Sequence, residues 1–270
     1  MTFLYYIVKA TSIQHLQVEF SIRSVRAQIN ANDRVVVLTD APTLYSHLSC
    51  VKAINVSENQ IQEWEGQHRF FWRGKIMAII YTAELFPLED VVYLDGDTCL
   101  AGDIEEIRKL LHHGHPLMHK REGNPGLMQG KSLNMWNTIK GKTYAGITMT
   151  DDQEMWNAGV VGIPHSMLNK VPYQALKMCD EILDDHAEPI VVEQFSLSAC
   201  LQNLATMNAA TAIIHYWHNK KLWTQYAAKV ISDITTHNLS VDEEKRYFKQ
   251  MNLMRVNRWL KTRRILNKII

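Results

Sequence analysis

The stretch Val91–Asp97 (VVYLDGD) decides the fold, because it is a short apolar run that ends in two aspartates separated by one glycine. Such an uninterrupted run indicates a strand that is buried on both faces of a parallel sheet. In open α/β sheets, ligands bind outside the carboxyl ends of the strands. Asp95 and Asp97 are therefore predicted to lie at the binding edge of such a sheet.

The N-terminal part of the chain predicts the β-α-β unit to which this strand belongs. Phe3–Val8 and Arg34–Thr39 are compact apolar runs typical of buried strands, and apolar residues recur near helical spacing between them. Two buried strands joined by a helix pair in parallel through a right-handed crossover. A third strand is predicted at Val51–Val56, and a helix at Lys75–Leu85 leads into the strand that carries the aspartates.

Further elements are predicted after the aspartates. Asp103 is expected to cap a helix that runs through Leu111, with Glu106 completing a capping box. Residues 120–150 are rich in Gly, Asn and Lys and have little periodicity, so they are predicted to form a long loop or a partly ordered flap. The remaining predicted elements are a strand at Val160–Ile163, helices at Tyr173–Leu183 and Glu193–Leu204, and a strand at Ala212–His215.

The composition is that of a globular protein with a sizeable core, since 46% of the 270 residues are hydrophobic and 21% are charged. No domain boundary is evident before about residue 235. The predicted fold class is α/β, with one Rossmann-like domain over residues 1–238 that has a mixed, mostly parallel central sheet. Residues 239–270 are predicted to form a basic helical tail.

The cysteines and the apolar segments indicate a cytoplasmic protein. The four cysteines are scattered and form no CxxC motif or Cys/His cluster, which argues against a disulfide framework and against a structural zinc site. The N-terminus lacks the features of a signal peptide. No stretch approaches the roughly 20 apolar residues that span a bilayer.

Basic charge is concentrated in the tail. Residues 251–270 hold six of the 29 Lys and Arg residues and none of the 28 Asp and Glu residues, so residues 1–250 carry 23 basic against 28 acidic side chains, a net charge of −5. A helix with this mixture of basic and apolar residues is predicted to lie on an anionic membrane surface, or else to pack its apolar face on the domain. Nucleic acid is not an expected partner, because the rest of the chain offers no extended basic face.

Asp95 and Asp97 are the first candidates for chemistry. Two carboxylates at positions i and i+2 after a buried strand can both reach one hard cation that also holds a diphosphate. Mn²⁺ or Mg²⁺ prefers such oxygen ligands. The alternative is that they are ordinary turn residues, since aspartate favours turns.

The segment HYWHNKKLW (residues 215–223) supplies the second candidate. His215 ends a short apolar strand, and a neutral imidazole is a suitable third protein ligand for a cation. Lys221 is predicted to place its charge against a diphosphate leaving group. Taken alone, each has an ordinary alternative: a hydrogen-bonded histidine at a strand end and a solvated lysine pair.

Together these segments resemble the retaining glycosyltransferase family that includes glycogenin and the bacterial lipopolysaccharide glucosyl- and galactosyltransferases, which have the GT-A fold. YLDGDTCLAGDI is similar to the strand, DxD and following stretch of that family. HYWHNKKLW has its spacing of His, five residues, Lys, one residue and Trp. The resemblance implies that Asp95, Asp97 and His215 are metal ligands and that Lys221 contacts the diphosphate.

Two further segments carry the resemblance. WNAGVVGI is similar to the family's FNxGV segment, which implies that Asn157 and Gly159 lie near the donor sugar. VVEQFSLSACL is similar to its helix that opens with Asp-Gln, which implies that Glu193 and Gln194 lie near the sugar and its anomeric carbon as catalytic residues. Lys75 precedes the DxD strand where the family carries a donor-binding lysine.

Some positions depart from the family pattern and leave the donor open. Glu193 stands where aspartate is usual, and Leu222 replaces the usual proline. The first loop, which contributes Ala10 and Thr11 as predicted donor contacts, lacks the common Asp-x-x-Tyr pattern, so that uracil is not fixed as the base.

The resemblance predicts a metal-dependent retaining transferase that moves a hexose from a nucleotide-diphosphate sugar to a hydroxyl acceptor. UDP-glucose and UDP-galactose are the expected donors, and a glycan or glycolipid is the expected acceptor. The rival enzymes are a haloacid dehalogenase-type phosphatase, which also places DxD after a buried strand but usually has Thr or Val at the position of Cys99, and a nucleotidyltransferase, whose Gly-rich loop is missing. A non-catalytic scaffold that binds a nucleotide sugar is the third alternative.

Overall fold

The structure is a computed structural model that describes the backbone of residues 1–269 and the side chains of residues 1–265. The strands are β1 (Thr2–Ile7), β2 (Arg34–Thr39), β3 (Val51–Asn55), β4 (Val91–Leu94), β5 (Thr98–Leu100), β6 (Leu117–Met118), β7 (Arg121–Gly123), β8 (Thr143–Tyr144), β9 (Ile147–Thr148), β10 (Met155–Trp156), β11 (Val160–Ile163), β12 (Asn208–Ala209) and β13 (Ile213–His215). The helices are α1 (Ser12–Arg26), α2 (Glu58–Glu65), α3 (Arg73–Leu85), α4 (Ile104–His112), α5 (Lys131–Ile139), α6 (His165–Leu168), α7 (Val171–Asp184), α8 (Val192–Gln202), α9 (Lys220–Thr236), α10 (Val241–Gln250) and α11 (Leu253–Ile269).

A central sheet with the strand order β12-β6-β11-β4-β1-β2-β3 organises the domain. β1 pairs in parallel with β2 and with β4, and β2 pairs in parallel with β3. β11 runs antiparallel to both of its neighbours, β4 and β6. The predicted α/β class with a mixed, mostly parallel sheet is therefore confirmed.

Helices cover both faces of this sheet, and alternate residues of its strands enter different cores. Phe3 and Tyr5 of β1 pack into a cluster with α1 and α4, whereas Leu4 packs into a cluster with α3, α7 and α8. Side chains of a strand point alternately to the two faces. Both faces are buried, which explains why the strands appear in the sequence as uninterrupted apolar runs.

Outside the central sheet, β5 and β13 form a two-stranded antiparallel ribbon. Its register pairs Thr98 with His215 and Cys99 with Ile214. Thr98 directly follows the second aspartate of the DxD segment, so the ribbon brings His215 to that segment although the two are far apart in the chain.

The prediction of a loop or flap over residues 120–150 is wrong, because this segment contains β7, α5 and the β8–β9 hairpin. Met135, Trp136 and Ile139 of α5 are buried in the core, but three apolar positions are too few to give a clear helical period. The hairpin turns at Ala145 and Gly146, which both have positive φ, as a tight hairpin turn requires.

The N-terminus of α4 also differs in detail from its prediction. Asp103 is the capping residue, but its side chain accepts from the backbone nitrogen of Glu105. Glu106 accepts instead from the hydroxyl of Thr211, at 3.2 Å, and so completes no capping box. A tertiary contact has replaced the local one.

The C-terminal tail packs on the domain. Phe248 of α10 and Leu253 and Leu260 of α11 are buried in a cluster with α1 and α9. Glu244 of α10 is buried and paired with Arg23 and Arg26 of α1. Of the tail's basic residues, Lys268 lies outside the described side chains. The division at residue 238 stays a prediction.

Among the described residues, no helix combines the length and the apolar character that crossing a bilayer requires.

Candidate active site

A cavity of ≈ 590 Å³ opens at the carboxyl ends of β1 and β4, where the sequence places the aspartates. This active-site cavity contains most of the predicted site residues. Its titratable lining residues include Lys75, Asp95, Asp97, Glu122, His215 and Lys220.

Asp95, Asp97 and His215 converge in this cavity. The Nε2 atom of His215 lies 3.3 Å from Oδ1 of Asp97 and 3.8 Å from Oδ2 of Asp95. One ligand atom from each of the three side chains falls within 4.8 Å of the others. Two carboxylates and an imidazole at this separation can hold one divalent cation.

The β5–β13 ribbon produces this convergence. His215 pairs with Thr98 in the ribbon, and the backbone nitrogen of Tyr216 donates to the carbonyl oxygen of Asp97 at 3.0 Å. On the other side, the backbone nitrogen of Asp95 donates to the carbonyl oxygen of Gly159 at 2.9 Å. Backbone hydrogen bonds therefore fix both aspartates and the histidine.

Asn157 sets the orientation of the His215 ring. Its Oδ1 atom lies 2.9 Å from Nδ1 of His215 and accepts from the backbone nitrogen of Gly159 at 3.1 Å, while its Nδ2 donates to Glu122 at 3.1 Å. With Nδ1–H donating to this oxygen, Nε2 of His215 faces the aspartates: when protonated it pairs with Asp97, and when deprotonated it offers its lone pair to a cation. Such an outer hydrogen bond is typical of histidines that bind metals.

A glycine is required at position 159, because the ring of His215 lies against it. A Cβ atom added at Gly159 would lie 2.1 Å from Nδ1 of His215, which is far inside van der Waals contact. The glycine that the resemblance placed near the donor sugar therefore also makes room for the histidine.

Glu122 is a site residue that the sequence did not predict. Its carboxylate accepts from Asn157 and, at 3.0 Å, from Nε2 of Gln194, so it joins the metal side of the cavity to α8. It falls in β7, within the segment interpreted as a loop, and no motif marked it.

The charge state of Asp97 is set by its neighbours. Burial raises the pKa of this carboxyl group, but His215 and Lys220 outweigh burial, so the net pKa lies well below the ordinary value. Nζ of Lys220 lies 3.0 Å from Oδ2 of Asp97. Asp97 is therefore ionised and ready to bind a cation.

Lys75 forms a second charged cluster on the opposite side of Asp95. Its Nζ atom lies 3.4 Å from Oδ1 of Asp95 and 2.9 Å from Oε1 of Glu193, and it donates to the carbonyl oxygen of Ala158 at 3.2 Å. Burial lowers the pKa of Lys75, but the two carboxylates outweigh burial and raise it. Burial raises the pKa of Glu193.

The other predicted residues are placed as follows. Gln194 lines the cavity, and its Oε1 accepts from the backbone nitrogen of Ala158 at 3.1 Å. Glu193 lies behind Lys75 and does not line the cavity. Thr11 is the capping residue of α1, and neither it nor Ala10 lines the cavity.

Lys221 lies outside the active-site cavity and lines a neighbouring one, and Lys220 takes the place beside Asp97. Its predicted contact with the diphosphate stays a prediction. Aromatic side chains at the wall of the active-site cavity are a second feature that the sequence did not single out: Tyr6, Phe71, Trp72, Tyr93 and Trp217.

The donor set fits a divalent cation such as Mn²⁺ or Mg²⁺. Carboxylate oxygens are the ligands that these hard ions prefer, and an imidazole nitrogen is compatible with manganese. The side chain of Asp97 is only 9% exposed, and yet it faces a cavity with room for a ligand that shares the ion.

Comparison with known proteins identifies the fold. No protein-family model matches the chain, and no curated protein matches it. The apo crystal structure of mouse xyloside xylosyltransferase 1 is similar over 77% of this chain and 85% of that one, with a TM-score of 0.50 and 11% sequence identity. A structure of LgtC carrying an active-site glutamine-to-glutamate mutation is similar over 73% of this chain and 70% of that one, with a TM-score of 0.50 and 13% identity.

The chain therefore has the GT-A fold of glycosyltransferases, and the predicted resemblance to that class is confirmed at the level of the fold. Both of these proteins are GT-A glycosyltransferases.

Proposed function

We propose that the protein is a metal-dependent, retaining glycosyltransferase that uses a nucleotide-diphosphate sugar. The observation that carries this proposal is the convergence of Asp95, Asp97 and His215 within 4.8 Å in a cavity at the strand ends of a GT-A fold. A cavity of ≈ 590 Å³ is within the range of about 300–1,000 Å³ that is usual for small-molecule sites.

In this proposal, Asp95, Asp97 and His215 hold Mn²⁺ or Mg²⁺ against the diphosphate of the donor. The bound ion supplies Lewis-acid polarisation and charge neutralisation for the leaving group. Lys220 lies beside Asp97 and can exchange that carboxylate for a phosphate oxygen, because its side chain is 49% exposed.

The sugar is assigned to the side of the cavity formed by Lys75, Asn157 and Gln194. Lys75 is fixed by three contacts and presents positive charge next to Asp95. The LgtC structure carries its mutation at an active-site glutamine, and Gln194 is the glutamine of this cavity that contacts both Glu122 and Ala158. We assign Gln194 to the face of the anomeric carbon.

Retention of configuration is proposed to follow from attack on the face from which the diphosphate departs. Glu193 is bound to Lys75 and does not line the cavity, so it is poorly placed to act as a covalent nucleophile. We assign it instead to holding Lys75 in position. The acceptor oxygen then forms the new bond to the anomeric carbon as the bond to the diphosphate breaks, and the hydroxyl proton passes to the departing diphosphate.

UDP-glucose or UDP-galactose is the proposed donor, and a glycan or glycolipid is the proposed acceptor. The test is cleavage of a panel of nucleotide sugars with Mn²⁺, with Mg²⁺ and without metal. We expect metal-dependent release of the nucleotide from one hexose donor. Hydrolysis of a generic phosphate ester without sugar transfer would instead support the phosphatase alternative, and tight donor binding without any turnover would support the scaffold.

We also propose that the protein acts at the cytoplasmic face of a membrane, held there by the outer side of α11. Arg255, Arg258 and Trp259 are exposed on this helix, while Leu253 and Leu260 face the domain. Exposed basic and aromatic residues favour an anionic lipid surface. The test is co-sedimentation with anionic vesicles, in which Arg255→Glu/Arg258→Glu is expected to lower the bound fraction, and equal sedimentation would contradict the proposal.

A further inference from the structure

Two cavities of ≈ 450 Å³ and ≈ 360 Å³ lie beside the active-site cavity, between the start of α9 and helix α11. His218, Asn219 and Arg264 line both, so the two cavities adjoin each other. Lys220 lines the first of them as well as the active-site cavity, and His215 lines the second as well as the active-site cavity. We call the two together the basic groove.

The charge of the basic groove is of one sign. None of its lining residues is Asp or Glu, and besides Lys220 five of them are Lys or Arg: Lys120, Lys221, Lys261, Arg263 and Arg264. Within the described side chains, none of these five forms a salt bridge, whereas Lys75 and Lys220 of the active-site cavity are both paired with carboxylates. The groove therefore has positive charge that the protein itself does not neutralise.

Hydrogen-bond donors accompany this charge. Asn219 is only 8% exposed and lines both cavities, and its Nδ2 atom has no hydrogen-bond partner among the described residues. α9 begins at Lys220 without a capping side chain, so its positive end and its unpaired backbone N–H groups face the same region. A helix N-terminus with adjacent cations is a favourable anion site.

The cations of the groove act together on one side chain. Burial lowers the pKa of His218, and the charges of Lys120 and Arg264 lower it further, whereas the charge of Glu122 raises it. Lys120 follows β6 and Arg264 belongs to α11, so charges from distant parts of the chain meet at this point.

We propose that the basic groove binds a phosphate group of the acceptor, so that the enzyme glycosylates a phosphorylated sugar. This inference rests on the proposed function. His215 lines both the groove and the active-site cavity. An acceptor that is anchored in the groove by its phosphate therefore has its hydroxyl groups close to the donor. The phosphate serves only to bind the acceptor, and none of its bonds changes in the transfer reaction.

Helix α11 separates this role from membrane binding. Lys261, Arg263 and Arg264 line the groove, whereas Arg255 and Arg258 line neither cavity. The charges of Lys261 and Arg264, or those of Arg255 and Arg258, can therefore be reversed with the same change in net charge. The first pair tests the groove, and the second pair is its matched control.

The test is calorimetric titration with glucose 6-phosphate and with glucose, in low-salt buffer freed of metal by a chelating resin, because a soluble chelator is itself an anion. We expect the wild type to bind the phosphorylated sugar at least about tenfold more tightly, since each charged hydrogen bond is worth roughly a factor of ten. Lys261→Glu/Arg264→Glu should remove that preference, and Arg255→Glu/Arg258→Glu should retain it. Lys221→Glu, a single change on α9, should weaken binding of glucose 6-phosphate by about tenfold. Thermal melts verify that each variant folds.

Three results overturn the inference. The first is equal affinity of the wild type for the two sugars, and the second is an equal loss in the two double variants. The third is loss of binding to phosphatidylglycerol vesicles in Lys261→Glu/Arg264→Glu alone, without binding of glucose 6-phosphate, which would make the groove a lipid headgroup site. Failure of the proposed function is a separate result: the wild type cleaves no nucleotide sugar with Mn²⁺, which also removes the acceptor role even if glucose 6-phosphate binds.

Discussion

The active-site cavity contains two charged clusters that differ in burial. In the buried cluster, Lys75 is 8% exposed and lies between Asp95 and Glu193. In the open cluster, Asp97 is paired with His215 and with Lys220, whose side chain is 49% exposed. Charges that are buried must stay paired, whereas an exposed lysine can leave its partner at little cost. The buried cluster is therefore a fixed support, and the open cluster is where ligands exchange.

The largest effect is expected from removing a ligand of the open cluster. Asp97→Ala should lower metal-dependent transfer by roughly three orders of magnitude, because a catalytic ion is worth several kcal/mol and about 1.4 kcal/mol is a factor of ten. The measurement is the rate of nucleotide release with saturating Mn²⁺, with the melting temperature as a check of the fold. Asp152→Asn, an exposed aspartate outside the cavity, is the matched control. Full activity of Asp97→Ala without metal would refute the mechanism.

The buried cluster is expected to affect folding as much as activity. Lys75→Met leaves the carboxylate of Glu193 buried without its cation, which should cost about 3–5 kcal/mol of unfolding free energy. Replacing both partners, in Lys75→Met/Glu193→Leu, should recover much of this loss, because a buried ion pair can be exchanged for apolar residues of similar size at little cost.

Urea denaturation of the two single variants and the double variant measures this coupling. Additive losses would show that Lys75 and Glu193 act independently, contrary to the contact of 2.9 Å between them.

An intermediate effect is expected from disturbing the support of His215. Gly159→Ala places a Cβ atom 2.1 Å from Nδ1 of its ring, so the ring must leave the position in which it faces the aspartates. Changes around a metal-binding histidine typically cost about 10–100-fold in metal affinity. The measurement is the Mn²⁺ concentration that gives half-maximal activity. The melting temperature of Gly159→Ala checks that the domain stays folded.

The smallest effect is expected from the lysine of the open cluster. Lys220→Met should raise the KM for the donor by about tenfold, the worth of one charged hydrogen bond, because its charge lies next to Asp97. Lys221→Met should change this KM less, since Lys221 does not line the active-site cavity. Donor hydrolysis without acceptor is the assay that separates the two. A larger rise in this KM for Lys221→Met would support the contact with the diphosphate that the sequence predicted for Lys221.

The difference between Lys220 and Lys221 illustrates what the sequence cannot determine. The family spacing selects Lys221, but neighbouring residues of a helix point about 100° apart, with 3.6 residues per turn. The turn at Trp217–Asn219 sets the direction in which α9 begins, and this decides which lysine faces Asp97. The direction in which a helix begins depends on how the helix packs against the domain, so a local sequence pattern does not predict it.

The sequence by itself determined the five longer strands of the central sheet, β1–β4 and β11, and the two aspartates, because burial on both faces forces uninterrupted apolar runs and the carboxyl end of such a strand is where ligands bind. It also identified His215, through a spacing shared with a known family. Only the tertiary structure decided that Glu122 supports Asn157 and Gln194 and that the tail encloses the basic groove. Both depend on contacts between residues far apart in the chain, which pairing and packing determine.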